Sequence, residues 1–255
     1  MLAPWTADEN VNRMKKRKAS PIRDQQKEAR RLAILSAAET LIRERGDVHF
    51  SMLELATGAG VSLATPYNLF GTKSAILYAL LNQSADRIFT NAEPDPKGGL
   101  AAQTLASAAS LAEVLSGDPV FYRPLYAFLM GVPNAMWRPA FIARSRQYWA
   151  RPFAETDDFL VMPVSTDIVT DLLVVQALGC VEMWVHREID DLSLGIELRR
   201  ACAAVLLGLV AEPEQPMLRK AVAASRTTYG GSSAPEAATG DQSAASAEKK
   251  RRASA

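Results

Sequence analysis

SMLELATGAGVSLATPYNLFGTKSAILYALL, residues 51–81, decides how this chain folds. Ser51 followed by Glu54 is a capping box: the hydroxyl accepts from a free backbone N–H and the carboxylate reaches back. A short helix should start there, with Leu53, Leu55 and Ala56 available for packing. Gly58 and Gly60 let the backbone leave that helix and turn sharply, and Val61 is placed to plug the corner. Ser62 is an N-cap candidate for a second short helix running to about Leu69. Gly71 and Thr72 then break and recap the chain. Lys73 opens a longer helix containing Ile76, Leu77, Leu80 and Leu81. Two short helices joined by a small-residue turn and buttressed by longer ones form a helix-turn-helix, whose second helix is sized for the major groove.

Outward from this stretch the pattern stays helical. Ile34, Leu35, Ala38, Leu41 and Ile42 fall on one helical face, and Gly46 sits where that helix should stop, after Arg43 and Arg45. EPDPKGG at 93–99 reads as a domain joint. Beyond it the spacing predicts helices near 100–116, 119–130, 134–154, 166–188 and 192–211, with Pro139 and Pro152 perturbing the third. No period-2 strand pattern and no internal repeat occurs. The fold class is therefore all-α: a three-helix helix-turn-helix domain (23–92) followed by a larger helical domain (93–211). Residues 1–22, with KKRK at 15–18, read as a disordered basic arm. Residues 212–255, rich in Ala, Ser and Gly and ending in KKRR at 249–252, read as a disordered tail. Both basic clusters are taken as solvated tails in preference to groove-binding arms.

Of the 255 residues, 48% are apolar and 22% charged, ordinary for a globular protein, and the net charge is +1. Its distribution says more. Residues 1–90 carry 13 Lys/Arg against 9 Asp/Glu, and the remainder 16 against 19. A basic amino-terminal part on a mildly acidic remainder suits a nucleic-acid reader joined to something with another job. The opening residues lack the apolar core of a secretory signal. The longest apolar run, 201–211, is too short for a bilayer, so no membrane association is expected. Cys180 and Cys202 form neither a disulfide framework nor a metal pattern. A cytoplasmic protein is the expectation.

On the second helix Leu63, Ala64, Thr65 and Asn68 are the residues expected to face base edges, with Tyr67 reaching a phosphate through its hydroxyl. Lys73, at the head of the next helix, is expected to hold another phosphate together with backbone N–H groups. Ser51, Thr57 and Ser62 complete the expected DNA contacts. Leu63 and Ala64 offer apolar contact, to thymine methyls for example, and no bidentate code, so no operator sequence can be read from them. Pro66 lies in the first turn, where few N–H groups have intrahelical partners.

These residues resemble the amino-terminal domain of TetR-family transcriptional regulators. The cues are IL-x-AA at 34–38, Gly46, LA at 55–56, AGVS at 59–62, T-x-Y at 65–67, then Phe70, Lys73 and Leu77, within about residues 28–85. Pro66 departs from the pattern, standing where the family commonly has an apolar helix former. The resemblance implies a homodimer that binds a palindromic double-stranded DNA operator and a body that answers to a small molecule. It implies phosphate contacts from Thr65, Tyr67 and Lys73, with Tyr67 and Phe70 holding the recognition helix. No catalysis, cofactor or metal is expected.

In the body, residues 119–153 concentrate large side chains. By analogy with the family they line a cavity for an apolar or aromatic effector, or else they form a plain core. Phe121, Tyr122, Tyr126, Met130, Trp137, Phe141, Trp149 and, further on, Met183 are the candidates. The stripes Ile168, Leu172, Val175, Leu178, Gly179 and Leu198, Cys202, Val205, Leu206, Leu209 suggest a four-helix dimer interface, or burial within one subunit. Glu182 and His186 share a helical face but lack a third metal ligand, and the pair Asp157 and Asp158 has no assignable partner. The alternative function is a regulator controlled by a protein partner, or one without an effector. An enzyme that kept such a head comes last, since no phosphate loop, nucleophile elbow or metal motif is present.

Overall fold

The computed structural model of the protein describes residues 21–91, 98–131, 134–154 and 164–224. The two basic clusters, Asp157, Asp158 and most of the 93–99 joint lie outside the described residues. Every regular element described is helical. The head comprises α1 (Pro21–Arg45), α2 (Met52–Gly58), α3 (Ala64–Phe70) and the start of α4 (Lys73–Asn91). The body comprises α5 (Leu100–Gly117), α6 (Pro119–Gly131), α7 (Arg138–Ala150), α8 (Thr166–Val185), α9 (Asp191–Leu206) and α10 (Gln215–Ala223).

α1 buries Ile34, Leu35, Ala38 and Ile42 as its periodicity requires, while its first turns stand exposed. It ends at Gly46, whose φ of +69° only glycine adopts without strain. Pro139 sits in the first turn of α7, where its missing N–H costs nothing, and Pro152 falls in a 3-10 turn that follows the helix. The predicted helix over 134–154 is shortened at both ends accordingly.

Head and body share one continuous apolar core running from Ile34 to Leu218. α4 joins them, since it packs on α1 and α3 at one end and on α5, α6 and α7 at the other. A polar latch adds to this junction. Arg43, in the last turn of α1, donates to Glu39 (3.1 Å) and to Asp118 (2.8 Å), and lies 4.6 Å over the Phe121 ring. Asp118 also caps the start of α6 by accepting from the Phe121 N–H, and Arg87 of α4 donates to Glu39 at 2.8 Å.

Three expectations are corrected. The span 212–224 is not a tail: it forms a 3-10 turn (Glu212–Glu214) and α10, packed on α9. Leu218 is fully buried, and Arg200 donates to the Val222 and Ala224 carbonyls at the end of α10. Glu214 accepts from the Ala101 N–H (2.5 Å) at the start of α5. A few well-placed apolar residues and two long-range caps thus outweigh an unfavourable composition. Second, Leu53 is exposed instead of packed. Third, Leu198, Cys202 and Leu206 face their own subunit, covered by the helices around α9, and cannot form an intersubunit stripe. α8 is 20 residues long and apolar enough, by length and composition only, to cross a membrane. Asp171 and Gln176 interrupt its apolar sequence. Its inner face, including Leu173, Val181 and Trp184, packs in the body core.

Candidate nucleic-acid interface and body cavity

The head is built by local chemistry. Ser51 Oγ accepts from the Glu54 N–H (3.2 Å) and the Glu54 carboxylate accepts from the Ser51 N–H (2.7 Å), completing the capping box. Arg45 donates to Glu54 at 2.5 Å, and this bond, with the Ser51 contacts, lowers the Glu54 pKa from 4.5 to about 2. At the corner Gly60 takes φ +64°, while Gly58 stays helical with α1 packed close to it at Ala37. Only Gly60 supplies the turn. Val61 closes it, its N–H bonded to the Ala56 carbonyl at 3.0 Å and its side chain packed on the core.

α3 presents two faces. Pro66 is buried and Leu69 and Phe70 are half-buried, whereas Ser62, Leu63, Ala64, Tyr67 and Asn68 are exposed. The proline therefore anchors the helix to the head, and its apolar ring does the work of the helix former it replaces. Arg31 locks the other end, donating to the Leu69 carbonyl (3.0 Å) with its guanidinium 4.3 Å over the Phe70 ring. Sequence reasoning missed Arg31, because no spacing rule ties a residue in α1 to one 38 positions later. Tyr67 is 51% exposed, so it points away from the head and does not hold α3 as expected; Phe70 and Arg31 do.

The hydroxyls differ in what they can still offer. Ser62 does not cap a backbone N–H; its Oγ pairs with Thr65 Oγ1 at 2.9 Å, and Leu63 takes the cap position. Such a pair uses one hydroxyl hydrogen and leaves the other to donate outward. Ser51 Oγ accepts from the Glu54 N–H and its hydroxyl also bonds the Glu54 side chain, so Ser51 must give up that second bond to donate to a phosphate oxygen. Thr57 spends its hydrogen on the Leu53 carbonyl (2.9 Å) and must break that bond to donate elsewhere. Lys73 is half-buried, its ammonium 4.7 Å over the Phe50 ring. Burial lowers its pKa, opposed by Asp47 and Glu54. One N–H of the first turn of α4 is already bonded to Thr72 Oγ1, through Ala75.

The body encloses a narrow cavity of about 50 Å³. Its walls come from five helices: Ala85, Ile88 and Phe89 of α4, Leu111 of α5, Tyr126 of α6, Phe141, Arg144, Ser145, Tyr148 and Trp149 of α7, and Val174, Ala177, Leu178 and Val181 of α8. Of the eight expected lining residues, Tyr126, Phe141 and Trp149 are present. Phe121 and Tyr122 are buried against each other, with ring centroids 4.9 Å apart. Met130 lines a separate open groove beside Arg138 and Ile142. Trp137 is exposed and Met183 packs on the core elsewhere. Clustering of aromatics in sequence did not reveal which of them face the cavity. The α4 wall lies before the linker and was not considered at all. Tyr148 donates to the Ser107 carbonyl (2.6 Å). Tyr126 is buried with no hydrogen bond to its hydroxyl among the described residues, and burial pushes its pKa up. His186 is exposed at the end of α8, and no cluster of metal-ligating side chains occurs among the described residues.

The head, α4 and the body together define a two-part helical fold, and that fold is the one seen in solved TetR-family transcriptional regulators. A TetR regulator from Rhodococcus sp. RHA1 superposes with a TM-score of 0.60 at 19% identity, covering 71% of this chain and 97% of that one. RolR, solved in complex with resorcinol, gives 0.59 at 19% identity over 81% of this chain and all of that one. SmeT, the repressor of a Stenotrophomonas maltophilia multidrug efflux pump, gives 0.58 at 19%, covering 72% and 92%. In sequence, 77 residues are 42% identical to the HTH-type transcriptional regulator EthR of Mycobacterium tuberculosis, 30% of this chain and 31% of that protein. The chain thus matches about a third of the length of the curated relatives. No protein-family model matches it.

Proposed function

We propose that the chain is a transcription regulator, a repressor, that binds a palindromic operator as a homodimer and leaves it when a small apolar or aromatic effector enters the body cavity. The observation that carries DNA binding is the two-faced α3: its inner face is fixed by Pro66, Phe70 and Arg31, and its outer face is an unpartnered surface of small residues flanked by Tyr67. A single short recognition helix makes few contacts, so two symmetric half-sites are needed. The outer face of α8 supports pairing, since Ile168, Leu172, Val175 and Gly179 recur at helical spacing and are exposed.

Phosphate contacts are assigned to Thr65, Tyr67, Lys73 and Ser51, and base-edge contacts to Leu63, Ala64 and Asn68. Ser62 acts through Thr65, and Thr57 contributes only if it gives up its bond to Leu53. The narrow cavity supports release. An apolar void of about 150 Å³ holds benzene and this cavity is about 50 Å³, so a ring-sized effector displaces the walls, and one wall is α4, which carries the head. Coupling then requires only that the effector prefer the displaced arrangement. The same narrowness favours a second reading, in which a protein partner, or nothing, controls the regulator.

Selection of bound genomic fragments, followed by titration of the recovered operator, tests the assignment. Tyr67→Ala and Lys73→Ala should each weaken binding to every sequence, and Lys73→Ala should also reduce the salt slope by about one. Unchanged affinity and slope in both variants would remove the head assignment. Release of that operator across a panel of apolar compounds separates the effector reading from the second one.

A further inference from the structure

Arg144 is the one lining residue of the cavity that carries a formal charge at neutral pH. It reaches from α7 to α4, where its guanidinium bonds the Asp86 carboxylate and lies 5.8 Å over the Phe89 ring. Arg151 holds the same residue from beyond the end of α7, donating to the Phe89 carbonyl (3.0 Å) and lying 5.6 Å over its ring. Phe89 itself packs edge-on to Tyr148, with centroids 5.2 Å apart, in the cavity wall. The last turns of α4 are therefore tied to the cavity at one place, by one bond to a carboxylate and one to a carbonyl.

The two ties are unequal. The Asp86 side chain is 61% exposed and that of Arg144 32%. An exposed pair of this kind is weak, and Asp86, once released, regains its water. A second anion held against the apolar walls would meet Arg144 where less water competes. Arg144 also presents the planar fork that carboxylates fit.

We propose that the effector is an apolar molecule bearing an anionic group, and that this anion takes Arg144 from Asp86 and so unties α4 from α7. The inference rests on the reading above that the body cavity takes an effector. The apolar part lodges against Ile88, Phe89, Tyr126 and Trp149, and the anion stays at the rim. A neutral molecule of the same shape gains the burial but leaves the Arg144–Asp86 bond in place. Asp86 then acts as a competitor occupying Arg144 until the effector arrives, and its loss should favour the anion.

Calorimetry on the full chain with phenylbutyrate and its neutral counterpart phenylbutanol, near neutral pH, tests this. The wild type should bind the acid roughly tenfold or more tightly than the alcohol, as a charge-assisted bond in a partly dry site implies. Arg144→Gln should erase that preference, because the acid loses its partner. Asp86→Asn, which keeps the shape and removes the competing charge, should raise acid affinity and widen the preference for the acid over the alcohol. Equal binding of acid and alcohol by the wild type would overturn the anion assignment and leave the cavity reading intact. So would a preference that survives Arg144→Gln, or an acid affinity unmoved by Asp86→Asn. Failure of the wild type to bind either probe would overturn the effector reading along with it.

Discussion

The head and the body divide the chemistry of this protein differently along the chain. In the head, most of the parts that shape the outer surface around α3 are neighbours in sequence, Ser51 with Glu54, Ser62 with Thr65 and Thr72 with Ala75, with Arg31 reaching in from α1. In the body, the cavity draws Ile88, Leu111, Tyr126, Trp149 and Val181 from five helices. A surface made by local caps and turns keeps its shape while the rest of the molecule shifts. A cavity walled by five helices changes shape whenever one of them moves. That contrast suits a reader of DNA joined to a sensor.

The comparison breaks if the two parts fold independently. Leu55 is fully buried in α2, in the core that continues through α4 into the body. Leu55→Ala should cost about 2–5 kcal/mol, measured by urea denaturation. A single shifted transition is expected; two separate transitions would show that the head melts alone.

The next effect concerns the body's outer surface. Val175 is 63% exposed on the apolar stripe of α8. Val175→Asp should leave subunit stability within about 0.5 kcal/mol, as for other surface positions. It should nevertheless convert dimer to monomer in light scattering. Operator affinity should fall roughly a hundredfold or more, because the two heads then bind without avidity. A dimeric variant with full affinity would place the interface elsewhere.

What the sequence made legible follows the same division. The capping box, the Gly60 turn, the carboxyl-terminal end of α1 and the positions of α5, α6 and α8 rest on periodicity and punctuation, which act over a few residues. Arg31 on Phe70, Arg43 on Asp118 and Arg144 on Asp86 have no local signature, because each depends on where two helices meet. The same limit explains why three of eight proposed cavity residues lie in it and why Phe89 was absent from the list. It also explains α10. Composition argued against order at 212–224, yet Leu218 and the Arg200 cap secure the helix by contacts distant in sequence.

A smaller effect sharpens the claim that local caps set the head. Ser51→Ala removes the acceptor for the Glu54 N–H and should cost about 1 kcal/mol. The loss should appear as a lowered midpoint in thermal unfolding. DNA affinity should fall further than stability explains, since the hydroxyl assigned to a phosphate is lost as well. Ser51→Thr should restore both. Failure of threonine to restore binding would remove Ser51 from the contact set.

The smallest effect is a pH dependence that belongs to the head. Arg45 and the Ser51 groups hold the Glu54 carboxyl at about 2, below its ordinary 4.5. A depressed carboxyl contributes stability that is complete above the unfolded value and disappears as pH falls through the folded one. The body has an acid-sensitive cap of its own, because bonding to Ser193 lowers the Asp190 pKa. A plain acid titration therefore mixes the two. The difference between wild type and Glu54→Gln isolates the head: it should be constant above about pH 4.5, shrink between there and about pH 2, and vanish below. A difference that persists undiminished at the acid end would mean that glutamine loses packing or cap geometry instead of charge. The capping box would then act through shape, and Arg45 would be an onlooker.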